Sequence, residues 1–187
     1  MRATFLATIA VFSLGLTMRH AQDPPASQQA APAHVSNSFH FQVNASLSEA
    51  APLFGPEGER SWAGEHWNPQ FLYPQAAPDA ELDVPGAVFI LQRGPHTMIW
   101  VTTIFDVAAG RMQYVAFVPG HMVSVIDVRL SAIDAKTTSV EVTYTRTALD
   151  PGANDEVRAH GSDDSQSGPE WQQAIEASLK THGQRAP

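Results

Sequence analysis

The pair best equipped for acid–base work is Glu65-His66, which stands beside Trp67. A buried histidine next to a carboxylate can take and return a proton near neutral pH. Neighbours in an extended segment face opposite ways, however, so adjacency alone does not join them. Glu59-Arg60 is a second charged pair. It reads either as an ion pair on a helix surface or as a site in which the Arg60 guanidinium forks onto a ligand carboxylate. The histidines His20, His34, His40, His66, His96, His121, His160 and His182 are scattered singly. None pairs with another at i, i+4 around a glutamate, so the zinc-helix motif is absent. The chain has no cysteine. Disulfide frameworks, thiolate metal sites and cysteine nucleophiles are therefore excluded together. No nucleophile elbow of the form Gly-x-Ser-x-Gly occurs, and no glycine-rich phosphate loop. No catalytic residue, metal ligand or cofactor is assigned from sequence. Asn44-Ala45-Ser46 fits the glycosylation triplet.

The aromatic set carries more. Trp62, Trp67, Tyr73, Phe89, Trp100, Tyr114, Tyr144 and Trp171 recur through the elements of the folded part, with Met122 as a pliable companion. With Arg60 they are the candidate ligand-binding residues. Apolar pockets with few polar groups are the usual form of small-ligand sites. The competing reading is plain core packing, because aromatic rings bury large areas.

Composition narrows the partners. The 187-residue chain is 43% hydrophobic, with 11 basic and 19 acidic residues and a formal charge of −8. Phosphate neutralisation needs clustered Lys and Arg, so a nucleic-acid partner is not expected. After Arg2, residues 3–18 carry no charge. That run is too short for a comfortable membrane span and suits a signal peptide over residues 1–21, with an uncleaved tether as the alternative. Residues 22–37 are rich in Pro, Ala and Gln and read as a disordered linker. The folded domain is expected over residues 38–182, followed by a tail over 183–187.

Hydrophobic periodicity sets the elements. Phe39, Phe41 and Val43 alternate with polar residues, as in a half-buried strand. Ser48 is the expected cap of a short helix, which Pro52 shortens, and Pro56 opens a second that runs to Trp62. Six further strands follow, over about residues 67–73, 86–92, 97–106, 111–118, 122–132 and 137–147. Their short links imply an antiparallel meander. Met122, Ser124, Ile126, Val128 and Leu130 share one face, with Asp127 and Arg129 on the other. Val140, Val142 and Tyr144 likewise share a face. The glycine- and acid-rich segment 150–166 is expected to be a mobile loop. Ser167 and Glu170 match a capping box for a single closing helix of about three turns, on which Trp171, Ala174, Ile175, Ser178 and Leu179 fall on one stripe.

Phe54-Gly55-Pro56-Glu57-Gly58-Glu59-Arg60-Ser61-Trp62, Trp67-Asn68-Pro69 and Phe71-Leu72-Tyr73-Pro74 mark the chain as one that resembles the SRPBCC superfamily. Gly86-Ala87-Val88-Phe89, Trp100-Val101-Thr102 and Tyr144-Thr145 add to the likeness. This group contains the START-like and polyketide cyclase-like helix-grip proteins. The resemblance implies an α+β fold: a bent seven-stranded antiparallel sheet wrapping a C-terminal helix, with two short helices after strand 1. It also implies a hydrophobic cavity between sheet and helix. The function expected on these grounds is an exported carrier of a small hydrophobic molecule such as a lipid, sterol or polyketide. A cyclase or dehydratase acting in the same cavity is the second expectation, with His66, His121 or a carboxylate as its proton-handling group. A protein-interaction module with a filled core is the third.

Overall fold

The computed structural model describes residues 30–183. The expected signal peptide and most of the expected linker lie outside the described residues. The chain forms strand β1 (His34–Val43), a one-turn helix α1 (Leu47–Ala50), and 3₁₀ turns at Ala51–Phe54 and Gly58–Ser61. Strands β2 (Gln70–Tyr73), β3 (Val88–Arg93), β4 (His96–Asp106), β5 (Arg111–Val118), β6 (Met122–Asp134) and β7 (Thr137–Ala148) follow. Helices α2 (Asn154–Asp164) and α3 (Gly168–Gly183) end it. Among the described residues no helix is long and apolar enough to cross a membrane.

All seven strands join one antiparallel sheet in the order β1-β7-β6-β5-β4-β3-β2. The first strand therefore returns to pair with the last, His34 opposite Thr147 and Val43 opposite Thr138. Strand β1 begins four residues before the expected boundary at Ser38, because His34 and Ser36 find hydroxyl partners on β7. His34 Nδ1 lies 2.8 Å from Thr147 Oγ1, Ser36 Oγ 2.9 Å from Thr145 Oγ1 and Ser38 Oγ 2.8 Å from Thr143 Oγ1. This ladder marks the outer face of the sheet, where Arg129 Nε also donates to Asp127 Oδ1 at 2.7 Å. Bulges interrupt β4 after Thr102 and β6 after Ala132, and bulged strands bend.

The inner face reads directly from alternation and register. One cross-strand row runs Phe89, Trp100, Ala116, Ser124, Arg146, Val35; the next runs Thr102, Tyr114, Ile126, Tyr144, Asn37. Further rows of Met112, Val128, Val142 and Phe39, then Leu130, Val140 and Phe41, are closed and apolar. Helix α3 lies on β1, with Ile175 buried and Trp171 edge-on to Phe39 at 5.3 Å.

Two helical expectations change. The cap of α1 is Ser46, not Ser48: Glu49 accepts from the Ser46 amide at 3.0 Å and its hydroxyl at 2.6 Å. Both bonds hold the Glu49 carboxyl below its usual range. The segment expected to be a mobile loop is a 3₁₀ turn followed by α2. Helix α2 packs on β1 and β7, burying Asn154, Val157, Gly161 and Asp164. Asn154 ties it down, accepting from the Ala33 amide at 2.6 Å and donating to the Ala31 carbonyl at 3.1 Å. Gly161 lets the helix approach the sheet, since a Cβ there would stand 2.6 Å from Asn37 Nδ2. Ser167 turns its hydroxyl back onto the Asp163 carbonyl at 3.2 Å rather than capping α3 forward. The closing helix spans 16 residues, longer than the three turns expected.

Candidate functional site

The half of the inner face nearest β2 to β5 is filled with rings. Trp100 stacks on Phe89 at 5.7 Å and meets Trp67 at 5.6 Å and Tyr114 at 6.3 Å. Three polar tips pin the preceding turn: Trp62 Nε1 donates to the Leu53 carbonyl (2.7 Å), Tyr114 Oη to Phe54 (2.6 Å) and Trp67 Nε1 to Pro56 (2.8 Å). Trp67, Phe89, Trp100 and Tyr114 are thus buried packing residues that hold segment 53–67 across the sheet. Two buried donors on β4, Trp100 Nε1 and Thr102 Oγ1, have no hydrogen-bond partner among the described residues. An unpaired buried hydroxyl costs about 1–3 kcal/mol. Thr102→Val keeps the shape and removes the hydroxyl, so urea unfolding should show it stabilised by about 1 kcal/mol.

Four of the expected site residues stand elsewhere or are engaged. Tyr73 lies on the edge strand β2 and is 62% exposed, because β2 has no strand beyond it. Met122 belongs to a separate cluster beneath α2, with Ala33, Ala148, Ala153 and Val157. Arg60 does not pair with Glu59. Its guanidinium donates to Glu57 Oε1 (2.8 Å), Asn68 Oδ1 (3.0 Å) and the Pro69 carbonyl (2.6 Å). It borders a cleft of about 480 Å³ lined by segment 60–68, including Glu65, Trp62 and Trp67. His121 is at the β5–β6 turn, where its Nε2 meets Glu156 Oε2 of α2 at 2.8 Å and its ring stacks on His96 at 5.4 Å. That bond holds the Glu156 carboxyl low.

The other half of the inner face differs in kind. Ser124, Tyr144 and Arg146 stand on β6 and β7 among closed apolar neighbours, under α2 and α3. Arg146 forms a buried ion pair with Asp164 at the end of α2, the two side chains 12% and 11% exposed. Its guanidinium lies 4.4 Å over the Tyr144 ring. Glu59 comes down from the second 3₁₀ turn. Trp62 packs against Trp171 of α3 at 5.0 Å, and Ser61 meets Ser178 at 2.9 Å. Burial drives the Glu59 carboxyl well above its usual range, with Asp83 adding to the rise. Asp83 accepts from the Glu57 amide at 2.9 Å and is itself raised by burial. Burial, then Glu59, raises both the Tyr114 and Tyr144 phenols, so the carboxyl acts on both.

Glu59, Trp62, Tyr144, Arg146 and Trp171 each retain some exposure. Among the described residues the Glu59 carboxyl and the Tyr144 hydroxyl have no hydrogen-bond partner, and both atoms keep accessible surface. Of the expected set, Tyr144 stands on the inner face beside Phe39, and Trp62 and Trp171 pack together above it. Glu59, Ser124 and Arg146, which the sequence did not single out as site residues, add polar groups to this region. Arg146 follows Val140, Val142 and Tyr144 in strict alternation, a signal that could have placed it inside.

The order of elements, the sheet and the closing helix define the helix-grip fold, and similar solved structures bear this out. Norcoclaurine synthase from Thalictrum flavum, in complex with dopamine and hydroxybenzaldehyde, superposes with a TM-score of 0.56 at 10% identity, over 89% of this chain and 100% of that one. An uncharacterised protein from Rhizobium leguminosarum gives 0.55 at 15% identity, over 81% and 97%. DynU16, from the dynemicin biosynthetic locus, gives 0.50 at 14% identity, over 79% and 48%. No family model matches the chain, and no curated protein matches it in sequence.

Proposed function

We propose that the protein is an exported carrier of a small amphipathic molecule, held between the β6–β7 half of the sheet and helices α2 and α3. The observation that supports this most is the set of unpartnered polar atoms on the inner face. Polar groups buried in an ordinary core are paired. Here the Glu59 carboxyl and the Tyr144 hydroxyl keep accessible surface deep in the grip, beside the apolar walls of Ile126, Phe39, Trp62 and Trp171. Such a lining, mostly apolar with a few polar groups, is the ordinary chemistry of a small-ligand site. The uncharged run at residues 3–18 is the ground for export.

The test is a titration with the neutral dye Nile red. The chain should bind it saturably, one dye per chain, with a blue-shifted emission. Ser124→Phe places a ring on the inner face between Ala116 and Arg146 and should weaken uptake at least tenfold while circular dichroism shows the fold kept. Undiminished binding by a folded Ser124→Phe would count against this location.

A second reading, a cyclase- or dehydratase-type enzyme, draws on Glu59 itself. A carboxyl kept neutral by burial can donate to a ligand carbonyl, and Tyr114 and Asp83 stand around it. Turnover of an aromatic polyketide that Glu59→Gln abolishes would favour it over a carrier.

A further inference from the structure

We infer that the outer face of β3 to β6 is the interface of a symmetric dimer, in which two copies of this chain pack sheet against sheet. This goes beyond the carrier reading and stands apart from it. A strand with one wet face alternates apolar and polar residues, while a strand covered on both faces reads as an unbroken apolar run. Strand β7 alternates: Ser139, Glu141, Thr143 and Thr145 face outward between Val140, Val142 and Tyr144. The middle strands do not. Val88-Phe89-Ile90-Leu91, Met98-Ile99-Trp100-Val101 and Tyr114-Val115-Ala116-Phe117 are apolar on both faces. Register lines up their outward members. One cross-strand row is Val88, Val101, Val115 and Val125; the next is Ile90, Ile99, Phe117 and Val123. All eight keep some exposure, and none is part of, or packed against, the two apolar clusters of the described residues. A contiguous outward apolar patch of this kind marks a docking surface.

Area and charge name a second copy as the occupant. Six strands, β1 and β3 to β7, stand about 4.8 Å apart and are on the order of eight residues long, so this face measures roughly 600 Å² in plan. Its side-chain relief adds to that, which brings it to the size of a standard interface, about 800 Å² from each partner. The apolar rows run out into Thr145 and Ser36, and into Thr147 and His34, giving an apolar centre with a polar rim. Charges on the face balance. Arg111 and Arg129 stand against Asp127, and Glu141 lies opposite Arg129 in register. Such a face has no net field to draw a strongly charged partner or an anionic lipid surface, and it complements a copy of itself. A twofold dimer closes this contact, and two sheets packed face to face interdigitate their side chains.

Sedimentation velocity of the full chain across a concentration series tests this. A dimer should form with micromolar affinity or tighter. Val115→Lys puts a charge at the centre of the patch without touching the inner face. It should weaken the dimer at least a hundredfold while circular dichroism shows the sheet kept. Val101→Thr with Val115→Thr keeps shape and branching, and should weaken the dimer at least tenfold even if the lysine variant does not fold. Leu72→Lys, on the exposed edge strand β2, should leave it within threefold. A chain that stays monomeric at about 100 µM overturns the inference. So does a dimer that survives the folded patch variants, or one that Leu72→Lys breaks in their place. Cosedimentation of a monomer with neutral phosphatidylcholine vesicles would give the face to a lipid surface instead.

Discussion

Replacing Arg146 by alanine should cost about 3–5 kcal/mol, the usual penalty for stranding one member of a buried ion pair. Arg146 stands on the inner face of β7, and Asp164 reaches it from the last turn of α2. Removing the guanidinium leaves a carboxylate in a site where water is scarce. It also removes the cation lying over Tyr144. Urea unfolding at pH 7 reads the loss. The double variant Arg146→Met with Asp164→Leu should recover most of it, because apolar residues of similar volume often replace a buried pair at little cost. If the single variant were nearly neutral, the pair would be solvated and the inner face open at that end. If the double variant were as unstable as the single one, packing and not charge would be the cause. The same pair explains why α2 forms at all. Its low apolar content gives it one buried aliphatic residue, Val157, and the ion pair and the Asn154 bonds to Ala31 and Ala33 supply the rest of its attachment.

Glu59→Gln should stabilise the protein at pH 8 by on the order of 2 kcal/mol, the cost of a poorly solvated, unpaired polar group. The sign follows from burial. In the unfolded chain the carboxyl ionises near the ordinary 4.5, while burial in the fold raises it well above that. Below pH ~4 both states hold the proton and Glu59 carries no penalty. As pH rises past 4.5 the unfolded state ionises first, so wild-type stability falls until the folded carboxyl also ionises. Asp83 contributes in the same direction. The gain from Glu59→Gln should therefore be present at pH 8 and vanish by pH 4, as thermal unfolding across that range would show. A gain independent of pH would mean that it does not come from ionisation of the carboxyl, and no gain at any pH would mean that the carboxyl is well solvated. A residue kept at a cost to stability is the pattern expected of a site that serves binding.

The sheet was legible because its signals are local. Alternation at Phe39-Phe41-Val43 and at Val140-Val142-Tyr144 fixes which side chains point inward, and short polar links allow few pairings. Helix α2 was not legible, because its inward stripe is Asn154, Val157, Gly161 and Asp164, a pattern indistinguishable from an acidic loop until the partners on β1 and β7 are known. The aromatic residues divide by role. Those nearest β2 to β5 fill space and brace the 53–67 segment, while Trp62 and Trp171 pack on each other beneath the closing helix. Glu59 was read with its neighbour Arg60. The 3₁₀ turn separates the two: the arginine reaches Glu57, and the carboxyl is buried near Asp83. That division depends on a backbone conformation that residue types alone do not specify. Tyr73 illustrates the opposite error: its type suggested a lining residue, and its place on a four-residue edge strand exposes it.

The most direct measurement is a ¹⁵N chemical-shift titration of the full chain with 2-naphthalenemethanol. The largest shifts should fall on Glu59, Trp62, Ser124, Tyr144, Arg146 and the Trp171 indole, with the outer-face ladder of Ser36, Ser38, Thr143 and Thr145 unmoved. Shifts confined to the outer face, or to the groove beside Leu47, Val107 and Ala132, would contradict an internal binding site, as would a spectrum that saturating probe leaves unchanged.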